Sequence, residues 1–86
     1  MTLEELRGAL EGILSLEEQS SPDWQQVETL CLRTIARLAT ETEPSYPYDT
    51  VYHFLDDPDI RQNDTPYGER QRGRLREWLD ALEKQS

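Results

Sequence analysis

The residues with the most chemical potential in this chain lie in one short stretch, Tyr48-Asp49-Thr50-Val51-Tyr52-His53-Phe54-Leu55, followed by Asp64-Thr65-Pro66-Tyr67-Gly68. Tyrosines and an imidazole crowd together there, between two longer helical segments of an acidic chain. Tyrosine presents large, rigid contact area at low entropic cost, so a Tyr-rich element flanked by acids suits a protein-binding surface better than a reaction centre. His53 has carboxylates nearby in sequence, but general acid–base work also needs a nucleophile or polarising group, and none is identifiable. A surface or half-buried histidine is the simpler reading. Asp56-Asp57-Pro58-Asp59 has the look of a cation loop, yet it lacks the alternating ligands, central Gly and closing Glu of an EF-hand. One His and one Cys do not furnish a zinc site, and there is no glycine-rich phosphate loop. The expectation is a non-enzyme without cofactor or metal.

Arg70, Arg72, Arg74 and Arg76 form a second group. Helical spacing puts Arg70 with Arg74 on one face and Arg72 with Arg76 on another. They can make a basic patch for an anion or RNA, or pair with nearby acids, for example Arg76 with Asp80.

Charge narrows the partner. Eighteen acids against nine Lys and Arg give a net charge of −9. That sign disfavours direct binding to nucleic acid and to anionic lipid. It favours a basic protein, drawn in by long-range steering, although an acidic surface also serves solubility alone. The acids concentrate on the first two helical segments and on the 56–64 loop.

The elements that must position these groups are helical. Eighty-six residues make one domain, and a chain of that length buries about 60–65% of its unfolded surface, enough for one modest core. Four helices are expected, roughly 2–18, 22–40, 47–56 and 66–84, arranged as a small antiparallel bundle with a short third member. Thr2-Leu3-Glu4-Glu5 is a capping box, and Leu3, Leu6, Leu10, Ile13 and Leu14 follow as a stripe. Gly8 and Gly12 weaken that helix and mark places where a neighbouring helix could come close. Ser21 as N-cap with Pro22 at the first helical position opens the second helix, whose stripe is Val27, Leu30, Cys31, Ile35 and Leu38. Glu41 to Pro47 is a break. Pro47 opens the third helix, with Tyr48, Val51, Tyr52 and Leu55 on one side, and Pro58 stops it. Residues 56–64 read as a polar loop. Thr65 caps the last helix, which turns Leu75, Trp78, Leu79 and Leu82 inward and leaves a first half that is solvated or packs through arginine stems. No strand signal and no internal repeat is present.

Cys31 reads as a small buried hydrophobe. A fold without disulfides suits a reducing compartment. The N-terminus lacks the order of a signal peptide, and no run approaches the ~18 apolar residues of a membrane span. The expected location is the cytoplasm.

The stretch from Asp49 to Gly68 resembles the core motif of the colicin and pyocin DNase immunity proteins. In that family a short third helix carries Asp, two apolar residues and a tyrosine pair. An Asp-rich loop follows, and then Asp-Ser-Pro-x-Gly opens the fourth helix. Asp49 matches the aspartate, Tyr52 the first tyrosine, and His53 stands for the second. Asp64-Thr65-Pro66-Tyr67-Gly68 matches the helix-opening motif with Thr for Ser. Thr2-Leu3-Glu4-Glu5-Leu6, Leu10 and Ile13 are similar to the family's first helix. The resemblance implies an inhibitor that binds a basic nuclease domain beside its active site and excludes DNA by sterics and charge. Tyr52 and His53 would be central contacts, with Asp49 a charged one. Asp56 and Asp57 would join from the acidic loop, and Glu28 on the second helix would tune partner choice. Two other readings share much of this pattern: an anti-CRISPR or other DNA mimic, and a structural or adaptor helical module. Monomer and homodimer both stay open.

Overall fold

The computed structural model describes residues 1–40 and 45–85. All regular structure among them is helical: α1 (Leu3–Glu17), α2 (Trp24–Thr40), α3 (Tyr48–Asp56), α4 (Pro58–Asn63) and α5 (Thr65–Gln85). The expected break at Glu41-Thr42-Glu43-Pro44 lies outside the described residues. No helix among the described residues is long and apolar enough to cross a membrane.

The Thr2 hydroxyl accepts from Glu5 N–H at 3.1 Å and the Glu5 carboxylate accepts from Thr2 N–H at 3.0 Å, which completes the capping box. These bonds, with Arg37 beside it, hold the Glu5 carboxyl below its ordinary range. The next two long helices start off expectation, α2 two residues later and α5 one residue earlier. At α2 the cap is Asp23, whose carboxylate accepts from Gln26 N–H at 3.1 Å, so the helix begins at Trp24 rather than at Pro22. At α5 the cap is Asp64, accepting from Tyr67 N–H at 3.1 Å, and Thr65 and Pro66 lie inside the first turn. In both cases an aspartate is in reach of the orphan N–H groups and its charge complements the helix dipole, so it displaces the hydroxyl residue nearby.

The larger correction is α4. The stretch read as a loop over 56–64 contains a six-residue helix with Pro58 at its start and Asp59 in its first turn. The described residues therefore form five helices rather than four.

The apolar stripes converge on one core. Leu6, Leu10, Ile13 and Leu14 of α1 meet Val27, Cys31 and Leu38 of α2, Val51, Phe54 and Leu55 of α3, and Leu75 and Leu79 of α5. Trp24, Trp78 and Leu82 pack at its edge, half-buried. On α3 the inward row is Val51, Phe54 and Leu55, while Tyr48 points outward at 56% exposure. Helix α2 packs on α1, α3 and α4, and α5 packs on α3 and α4. Gly8 and Gly12 do not mark a close helix approach, since a Cβ at either would meet nothing within 4 Å. Gly68 does: a Cβ there would lie 3.3 Å from the Arg61 carbonyl and 3.0 Å from the Arg72 guanidinium. This glycine of the Asp-Thr-Pro-Tyr-Gly motif lets α5 start directly against α4.

Candidate functional site: the outer face of α3 and a buried polar node beneath it

Four of the six residues expected to contact a partner come together. Asp49, Tyr52, His53 and Asp56 follow i, i+3, i+4, i+7 spacing and so share one face of α3. Asp49, His53 and Asp56 are exposed and Tyr52 is half-buried. The tyrosines form a stack along this helix. The Tyr48 and Tyr52 rings lie 4.9 Å apart at 10°, and Tyr46 lies 6.5 Å from Tyr48 at 23°. Glu28 comes in from α2. It borders a shallow groove of about 230 Å³ with Asp56 and Asp59, over an apolar floor that includes Leu32 at 59% exposure, Leu55 and Pro58.

Asp57 is placed differently. Its carboxylate accepts from the Tyr67 hydroxyl at 2.7 Å and from Gln71 Nε2 at 3.2 Å. It ties the α3–α4 junction to α5 and points away from the open face. The Tyr67 phenol is raised above its ordinary range, first by donating to Asp57 and then by burial.

Beneath α3 lies an arrangement that sequence reasoning missed. Arg61 of α4 is 2% exposed and Glu17 of α1 is 5% exposed. The guanidinium meets the carboxylate in a two-pronged pair, Nε to Oε1 and Nη2 to Oε2, each at 2.9 Å. Arg61 Nη1 donates to the Phe54 carbonyl and to Gln71 Oε1 at 2.9 Å. Its Cζ sits 3.8 Å over the Phe54 ring, and Nη2 is 3.9 Å from Cys31 Sγ. Arg72 closes the set with a 3.0 Å bond to Glu17 Oε1. Among the described residues no buried side-chain nitrogen or oxygen lacks a partner. Every helix contributes to this node, and α4 exists to deliver its cation. The available sequence signal was Asp57-Pro58-Asp59, a helix-start pattern with Pro at N1 and an acid behind it. The expected partner of Arg76 also changes: it pairs with Glu18, the C-cap of α1, and not with Asp80.

Burial drives the Cys31 thiol up to about 11, against the opposing pull of the Arg61 guanidinium. Cys31 and Tyr67 are thus both neutral in the fold at pHs where an unfolded chain ionises, from about 8.5 for Cys and about 10 for Tyr. Raised native pKa values mean that the folded state holds more protons there. Their contribution is therefore intact below about pH 8.5 and is lost as pH rises toward 11. The urea midpoint should be flat from pH 7 to 8 and fall steadily above pH 9. A midpoint unchanged to pH 10.5 would contradict the burial of Cys31.

Among the described residues no three His, Cys, Asp or Glu side chains converge as a metal site. No protein-family model, curated protein or solved structure matches the chain.

Proposed function

We propose that this is a small acidic inhibitor that binds a basic protein, a nuclease or another enzyme handling nucleic acid, in the manner of the immunity proteins that its Asp49–Gly68 stretch resembles. The observation that carries the proposal is the outer face of α3. Asp49, Tyr52, His53 and Asp56 stand together there beside a stacked tyrosine row, in a chain of net charge −9. A pre-stacked aromatic row loses little freedom on binding, and the acids steer a cationic partner toward it. Inhibition is by occupation and charge repulsion, with no bond chemistry, and the setting is the cytoplasm. The bundle plan is then one of four principal helices, α1, α2, α3 and α5, with α4 inserted as the carrier of Arg61.

A second reading, an adaptor or self-associating module, draws on another surface. Gly8, Ala9 and Gly12 of α1 and Leu30 of α2 line an open groove of about 280 Å³ with Arg33 and Arg37 at its rim.

A pull-down from the native host at low salt separates the two. The inhibitor reading expects one basic protein, released by salt. Tyr52→Ala and Asp49→Ala should each weaken that complex at least ~30-fold, the loss of a hot-spot contact of about 2 kcal/mol, with circular dichroism unchanged. Recovery of the protein alone, as a dimer, would favour the module, and unfolding of both variants would assign these residues to the core.

A further inference from the structure

The four arginines at the start of α5 do not act as one patch. Two residues along a helix turn a side chain by about 200°, so positions 70, 72, 74 and 76 divide between two faces. Arg72 and Arg76 face α1 and are held by Glu17 and Glu18. Arg70 and Arg74 face α3 instead, where they line a groove of about 350 Å³ together with Asp49, Thr50, His53 and Tyr67. Neither Arg70 nor Arg74 has an acidic partner within 4 Å among the described residues. Asp49, on the opposite wall, is likewise outside ion-pair distance of any described cation. The Thr50 hydroxyl has no hydrogen-bond partner among the described residues.

We propose that this groove is an oxyanion site, in which a phosphate or carboxylate group sits between Arg70 and Arg74 and accepts a further bond from Thr50 or His53. The lining carries Arg70 and Arg74 against Asp49, with the Asp57 carboxylate behind it already engaged by Tyr67 and Gln71. Guanidinium groups one turn apart offer parallel N–H donors to one oxyanion, the geometry that favours Arg over Lys at such sites. The groove has the volume of a small-ligand pocket. Two cations are too few to follow a nucleic-acid backbone against the field of the remaining acids, so the ligand is a small anion and not a strand. The groove shares Asp49 and His53 with the face proposed for a protein partner, but the anion site needs neither Tyr52 nor that partner.

The test is a titration of the purified full chain with inorganic phosphate and, separately, with acetate, at constant ionic strength set by chloride. It is followed by amide and arginine Nε–Hε resonances. Saturable shifts are expected at Thr50, His53, Arg70 and Arg74 at about millimolar anion. Arg70→Gln and Arg74→Gln should each weaken binding roughly tenfold. Asp49→Asn should tighten it by several-fold, whereas Glu4→Gln, which removes a charge from α1 outside the groove, should leave it unchanged. Tighter phosphate identifies a phosphorylated ligand, and acetate of equal or greater affinity identifies a carboxylate. Shifts that grow linearly with both anions would overturn the site. So would saturable shifts that survive both Arg variants with the spectrum otherwise native, or equal tightening by Asp49→Asn and Glu4→Gln.

Discussion

Replacing Arg61 by Met should cost about 3–5 kcal/mol, a large part of the 5–15 kcal/mol that holds a domain of ordinary stability together. The loss arises less from the missing contacts than from what stays behind. The Glu17 side chain is fully buried, and without Arg61 it keeps only the single bond from Arg72. A carboxylate in that position must either stay charged at a desolvation penalty or take up a proton. The double variant Glu17→Leu, Arg61→Met removes both charges of the pair and should regain part of the loss, the remainder reflecting Arg72, which loses its carboxylate, and the Phe54 and Gln71 oxygens, which lose their donor. Urea unfolding of the two single variants and the double variant gives the coupling directly. Single variants costing under about 1 kcal/mol would mean that water reaches the pair and that the node is an ordinary surface bridge.

Phe54→Ala should be of similar size, about 3–5 kcal/mol. The ring is fully buried and plays two roles: it fills the space between α3 and the core, and its face carries the Arg61 guanidinium 3.8 Å away. Phe54→Leu restores most of the volume without the aromatic face. The difference between the Leu and Ala variants measures filling. The residual deficit of Leu, about 0.5–2 kcal/mol, measures the ring–cation contact. In an Arg61→Met background that residual should vanish. If it persists there, the deficit comes from shape and not from the π-system.

Much of the architecture was legible because apolar periodicity reports it directly. The α1 stripe from Leu6 to Leu14, the α2 stripe and Leu75 with Leu79 are where their spacing puts them, while Leu3 lies outside the core. The starts of α2 and α5 were legible to within two residues, and both errors have one cause: Asp23 and Asp64 out-compete the neighbouring Ser and Thr as caps. The faces of α3 were legible only in part: spacing groups Tyr48 and Tyr52 with Val51 and Leu55, whereas the inward row is Val51, Phe54 and Leu55 and Tyr48 is exposed. The node was not. Glu17 and Arg61 are separated by 44 residues, and each stands in a polar context that reads as solvated surface. Periodicity assigns charged residues to the outside by default, and only the three-dimensional packing of α4 against α2 and α5 reverses that assignment. The arginines are the intermediate case. Their division into two faces follows from spacing alone, but which face meets acids depends on α1 lying on one side of α5 and α3 on the other.

The buried pair also bears on which structure the chain selects. Apolar surfaces tolerate sliding, because leucines fit many partners almost equally well. A one-turn slip of α4 would carry Arg61 about 5.4 Å along the helix axis, beyond reach of both Glu17 oxygens, and would leave a buried carboxylate with only its bond from Arg72. Rival packings of the same helices thus incur a penalty that the native one escapes, and an energy gap opens between them. On this argument Glu17 and Arg61 contribute uniqueness more than depth: they set the register that the oily seam alone leaves open.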